Sequence, residues 1–288
     1  MRVINSFRRR FPQSKPGERI SFSPRVNRAM KKICIALCVI AGMLPAVPSL
    51  YAEEWRLRKS THFIIKYRNA PEDFIRRTQQ HAEQYYNRIA DDLGFTRYDF
   101  WLWDNRAAIY IYDSAEEYRA ATGHPGWSGG AADSREKIIY TFVYAEGFME
   151  TILPHELGHI IFREFVGVFN PAVPLWLEEG VASYQEKGRY AAARGIIRHA
   201  MQQDRHVPLS ELTGAGSFML MDDRSALMFY STAYTVIDYL MKEYGKDRFV
   251  YFCQNLRDKQ NLDRAISSAY PLDGLAGLEE AWEKWIRR

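Results

Sequence analysis

The residues most able to do chemistry sit in one short run, Leu153-Pro154-His155-Glu156-Leu157-Gly158-His159. Two histidines four apart on a helix differ by about 40° in azimuth, so both imidazoles project from one face toward one ion. Glu156, directly after the first of them, can reach a water bound to that ion. Zinc held by three protein ligands keeps a fourth position for such a water and lowers its pKa to about 7. The chemistry is then hydrolysis of a carbonyl, with Glu156 taking the proton of the attacking water and passing it to a leaving amine. The flanking residues Ile152, Leu153, Ile160, Ile161 and Phe162 make this helix strongly apolar. Buried imidazoles beside a buried carboxylate need partners, and a metal supplies them.

Such a centre needs a third ligand. Metzincins extend the motif with a glycine and a third histidine, but Phe162 and Phe165 stand at those positions here. Further on runs Pro174-Leu175-Trp176-Leu177-Glu178-Glu179-Gly180-Val181-Ala182-Ser183-Tyr184, an acid pair at the start of a second helix. Glu179 follows His159 by 20 residues. A helix, a loop and the start of an antiparallel helix can bring it back to the ion.

His155–His159 followed by W-L-x-E-G-x-A resembles the gluzincin zinc peptidases of the Peptidase MA superfamily, above all the exported bacterial proteins termed peptidase-MA-like. The likeness covers about residues 60–285 and includes Gly129-Gly130-Ala131-Ala132-Asp133, the segment 137–143, Glu179-Gly180 and Tyr230. It implies a zincin-like α+β fold, with a small N-terminal sheet, the active-site helix and a mostly helical C-terminal half. It implies one zinc ion on His155, His159 and Glu179, with Glu156 as general base. Glu179 is preferred to Glu178 because it directly precedes Gly180. Tyr230 matches the position of a tyrosine that stabilises the oxyanion, although Tyr234 lies on the same aromatic-rich segment. Segment 137–143 is, on the same likeness, either a sheet edge that pairs with extended substrate or an ordinary strand. Ser183, one turn after Glu179, is either a residue that orients a ligand or a plain helix hydroxyl. No acid in Ile138–Phe142 matches the aminopeptidase segment that grips a substrate amine, which favours endopeptidase-like specificity, although Glu146 and Glu150 follow.

The other histidines, His62, His81, His124, His199 and His206, have no ligand spacing and read as structural or solvent-facing. Asp222-Asp223 reads as charge at a helix N-terminus.

The elements that must position these residues follow from periodicity. Strands are expected at 61–67, 107–112 and 137–143. Helices are expected at 72–93, from Ser114 to Ala121, at 148–165, and at 175–201 with a break near Gly188 or Gly195. Further helices are expected at 225–244, 247–256, 263–270 and 275–286, with Gly123–Gly130 as a turn. Strands first and helices after make an α+β domain.

The chain has 288 residues and a net charge of +4. Residues 1–52 hold ten basic residues and one acid, so they carry +9 and leave 53–288 at −5. Lys31-Lys32, an apolar run from Ile33 to Leu50 and Ala52 read as a secretory signal cleaved after Ala52, with Met30 a possible start. The alternative is an uncleaved anchor over residues 33–50. The protein is therefore expected to be extracytoplasmic, with 53–288 as one domain. Cys34 and Cys38 leave with the signal, so Cys253 alone remains and no internal disulfide forms. The acidic body speaks against nucleic acid as a partner. A peptide or protein substrate is expected, and membrane contact only through an uncleaved leader. The competing reading is a catalytically silent zincin-fold binding or assembly protein.

Overall fold

The computed structural model describes residues 54–95, 101–124, 128–214 and 222–288. The leader and the residues that would anchor the chain lie outside them. Five strands form one sheet in the order β1-β2-β3-β5-β4. They are β1 (Arg56–Lys59), β2 (Phe63–Tyr67), β3 (Ala107–Tyr112), β4 (Gly130–Asp133) and β5 (Ile138–Phe142). The middle three run parallel, and β1 and β4 close the two sides antiparallel. Register sets Ile65 against Ile109 and Ile109 against Ile139, which lines up the fully buried face.

That face is covered by α1 (Glu72–Leu93) and α3 (Leu153–Val166). On α1, Phe74, Ile75, Ala82, Tyr85, Ile89 and Leu93 form one buried stripe at helical spacing. A short helix α2 (Ala115–Thr122) lies between β3 and β4, capped by the Ser114 side chain, which accepts from the Glu117 N–H. The remainder is helical: α4 (Leu175–Tyr184), α5 (Ala193–Gln202), α6 (Leu209–Thr213), α7 (Asp223–Lys259), α8 (Leu262–Ala269) and α9 (Gly274–Arg287). The architecture is α+β, with the sheet first and helices after.

Two expectations change. First, segment 137–143 is not a sheet edge. β5 has β3 on one side and β4 on the other, because Gly130–Asp133 folds back outside it. The outer edge near the motif belongs to β4. Second, the helix expected at 148–165 opens as one π-helical turn, Phe148–Ile152, before α3 begins. The stretch 175–201 is two helices, separated by turns around Gly188, one of the two expected break points. The two helices expected at 225–244 and 247–256 meet at Gly245, where the backbone leaves the helical conformation (φ 77°, ψ 167°).

α3 and α7 both pack on α4, and glycines set how closely. A Cβ on Gly158 would stand 3.0 Å from Ala182 Cα, and one on Gly180 would stand 2.5 Å from the Ala233 carbonyl oxygen. The loop from α3 to α4 is fixed by buried Asn170, whose side-chain amide donates to the Val166 and Leu256 carbonyls. Trp176 Nε1 donates to Thr213 Oγ1 at 2.9 Å and anchors the first turn of α4. The position of Glu179 is thus fixed by packing on three sides.

Candidate metal centre

α3 presents His155 and His159 toward the start of α4, where Glu179 is 5% exposed. The two Nε2 atoms lie 3.1 Å apart, and Glu179 Oε2 is 3.5 Å from the first and 3.7 Å from the second. Atoms that share a tetrahedral zinc at about 2.0–2.2 Å are separated by roughly 3.3 Å. These three atoms are therefore spaced as ligands of one ion, and no other such group of histidine, cysteine or acid side chains occurs among the described residues.

The outer nitrogens explain why the inner ones converge. His155 Nδ1 lies 2.7 Å from Glu186 Oε1, a carboxylate whose side chain is 1% exposed. With the Nδ1 proton on that carboxylate, neutral His155 offers a lone pair at Nε2. His159 Nδ1 faces Glu178 Oε1 at 3.6 Å, and the other Glu178 oxygen accepts from Arg163. Two imidazole nitrogens and a buried carboxylate oxygen thus converge on one point. Glu179 Oε2 is buried and makes no hydrogen bond. The residues fit a divalent cation, because a buried anion without a partner is costly and a cation removes that cost.

The electrostatics agree. Burial alone would lower His155, but the Glu179 and Glu186 carboxylates outweigh it and raise its pKa to about 10. Burial would raise Glu179, and the imidazoles, His159 foremost, bring it below its ordinary value. Glu178 would likewise rise on burial, but His159 and Arg163 hold it down at about 2. The cluster is built to hold positive charge, for which protons and a metal compete.

Glu156 is half-buried on α3, and its charge is felt by His155, His159, Tyr118 and Tyr230. It lies near enough to the ligands for its charge to act on both imidazoles. Tyr230 lies on α7, where burial first, and then the charges of Glu179, Tyr190 and Glu156, hold its phenol well above its ordinary pKa. Tyr234 instead stacks on Tyr190, with ring centroids 5.1 Å apart. Ser183 is fully buried, and its hydroxyl hydrogen-bonds to neither ligand.

The remaining histidines stand apart from this group. His62 binds Glu83 at 2.6 Å, and His206 binds Glu283 at 3.1 Å. His199 meets Gln203, and His81 packs on Tyr85. Exposed His124 lies near Tyr118. Asp222 caps α7 by accepting from the Ser225 N–H at 2.7 Å.

Sequence reasoning missed Glu186, Arg163, Arg189 and Tyr118. Glu186 lies just past the end of α4, outside the helical period, and meets His155 only through the fold.

Residues 101–288 match the family model of the Peptidase MA superfamily. Comparison with the curated proteins finds no match.

Proposed function

The chain belongs to the Peptidase MA superfamily, and from that premise we propose that it is an exported zinc metallopeptidase that hydrolyses peptide bonds. The observation that carries this reading is the convergence of two imidazole Nε2 atoms and the unpartnered Glu179 Oε2 within 3.7 Å, with Glu156 next to His155 on the same helix. His155, His159 and Glu179 would hold the ion. A zinc ion bound there supplies Lewis-acid polarisation and a water acidic enough to ionise near neutral pH.

The chain's own groups do the rest. Glu156 accepts the proton of the attacking water and returns it to the leaving nitrogen. Tyr230, kept protonated by burial, donates its O–H to the oxygen on which negative charge develops. Glu186 and Glu178 hold the two imidazoles with Nε2 inward. The outer edge of β4 has no strand partner among the described residues. An extended peptide adds to that edge through main-chain hydrogen bonds. Among the described residues no helix is long and apolar enough to cross a membrane. Export rests on the leader, and a mature N-terminus at Glu53 is the expected product.

The purified protein should hold about one zinc per chain. Glu156→Gln should keep the metal and lose cleavage of a peptide library. Protein without stoichiometric metal sinks the reading. Full activity in Glu156→Gln removes the assigned base. Bound zinc with no cleavage by the wild type favours a binding role on the same scaffold.

A further inference from the structure

The outer edge of β4 is where an extended peptide is proposed to add, yet the strand's own residues do little to hold it. Gly130–Asp133 reads Gly-Ala-Ala-Asp, and a glycine in a strand weakens it. An edge of this composition has to be fixed from outside. It is fixed at its first residues, from three separate elements.

Thr141 on β5 stands opposite Gly130 in the register and is fully buried. Its hydroxyl donates to the Gly129 carbonyl at 2.7 Å. Ser128 Oγ lies 3.0 Å from the phenol oxygen of Tyr118, a fully buried residue of α2. Ile152, the residue before α3, packs against both glycines. A Cβ on Gly129 would collide with Ile152 Cδ1, and one on Gly130 would stand 2.7 Å from Ile152 Cγ2. Gly129 also has a φ of 68°, where an L side chain is strained. The two glycines thus permit the close approach of β4 to the start of α3, and the two hydroxyls hold the strand there.

This latch is continuous with the centre. Ile152 precedes His155 by three residues, and β4 packs on α3, the helix that carries His155, Glu156 and His159. In an antiparallel edge strand every second residue turns its N–H and C=O outward. The four residues of β4 therefore offer few points of attachment, and a small shift of the strand misplaces them all relative to the ligands.

We propose that Thr141 and Tyr118 are positioning residues, whose hydroxyls set the height of the β4 edge over α3 and so the distance from a bound peptide's main chain to the metal-ligating group. Both are fully buried and act on the substrate only through the strand. The assignment rests on the metallopeptidase reading above and names what holds its substrate-pairing edge in place.

The zinc-loaded protein is titrated by calorimetry with two compounds, so no turnover is needed. Acetohydroxamate reaches only the metal. A trialanyl hydroxamate can also pair its main chain along β4, and should bind the wild type more tightly. Thr141→Val keeps the shape of the side chain and loses the hydroxyl. It should weaken the trialanyl compound by about threefold to tenfold, the worth of one lost or misaligned hydrogen bond. Acetohydroxamate affinity and zinc content should stay as in the wild type. Thr141→Ser should restore the longer compound's affinity. Tyr118→Phe should act as Thr141→Val does, and it carries the test if Thr141→Val does not fold. Wild-type affinity for the trialanyl compound in these variants overturns the positioning role. So does an equal loss for both compounds, which marks a general structural defect, or a serine variant that fails to rescue. Failure of both hydroxamates to bind the zinc-loaded wild type overturns the metallopeptidase reading and the positioning role with it.

Discussion

Gly180→Ala should destabilise the protein, whereas the same exchange at Gly195 should stabilise it. Both glycines lie inside helices, α4 and α5. Replacing glycine by alanine there gains about 0.5–1 kcal/mol in backbone entropy. The surroundings decide the sign. A Cβ on Gly195 meets nothing within 4 Å, so the gain stands. A Cβ on Gly180 would stand 2.5 Å from the Ala233 carbonyl oxygen and 2.9 Å from both Ala233 C and Ile237 Cγ1. Two of these atoms are backbone, which no rotamer change can move aside. Ordinary contact begins near 3.4 Å, so α4 and α7 must part by about 0.9 Å to relieve the overpacking. Overpacking of this kind costs about 1–3 kcal/mol. A backbone collision belongs at the upper end, which leaves a net loss of about 2 kcal/mol. At about 2–4 °C per kcal/mol for a domain of this size, Tm falls by about 4–8 °C. Gly195→Ala raises it by about 1–4 °C on the same scale. Because α4 carries Glu179 and α7 carries Tyr230, Gly180→Ala should also weaken zinc binding, and Gly195→Ala should not. Thermal melts with metal titrations check both. A Gly180→Ala protein that melts at or above the wild-type temperature refutes the claim that this contact sets the helix spacing.

Three further outcomes follow from the site and the sheet. Glu186→Gln removes the carboxylate from His155 Nδ1 and should weaken zinc binding by about 10–100-fold in a chelator competition. Stripping the metal should lower Tm: an ion present at about a thousand times its Kd contributes about 4 kcal/mol, or roughly 8–16 °C here. Glu83 accepts from the His62 backbone N–H and meets His62 Nδ1. Burial would raise its pKa, but these bonds bring it below the ordinary value. Its contribution to stability is thus present above pH 4.5 and lost as acid protonates it. Acid titration of Glu83→Gln should show a shallower loss than wild type.

Much of the scaffold could be read from apolar period. The helix expected at 72–93 and the strand at 107–112 have those bounds in the structure, because their buried residues recur at one clear spacing. β1 and β4 could not be read. Three of the four residues of β1 are basic, and β4 is Gly-Ala-Ala-Asp without a β-branched side chain. Both lie at the sheet's margins, where short polar strands guard against pairing between molecules. Lateral order was equally hidden, since chain order does not reveal that β4 lies outside β5. At the centre, the motif and the Glu-Gly step pointed to the three convergent residues. The outer carboxylates needed the fold, because Glu178 and Glu186 acquire their partners only when α3 lies across α4.

The ion pairs outside the ligands have a consequence for how the centre meets its surroundings. Arg163 cancels Glu178, and Arg189 cancels Glu186. What remains inside is Glu179 and Glu156, two negative charges that match one divalent ion. A divalent ion held there would leave the centre itself uncharged, so long-range steering of a charged peptide would fall to the rest of residues 53–288, which carry −5. Cationic peptides should be captured faster than anionic ones, and added salt should narrow the gap. At the centre itself, discrimination is left to shape and to surfaces reached after contact.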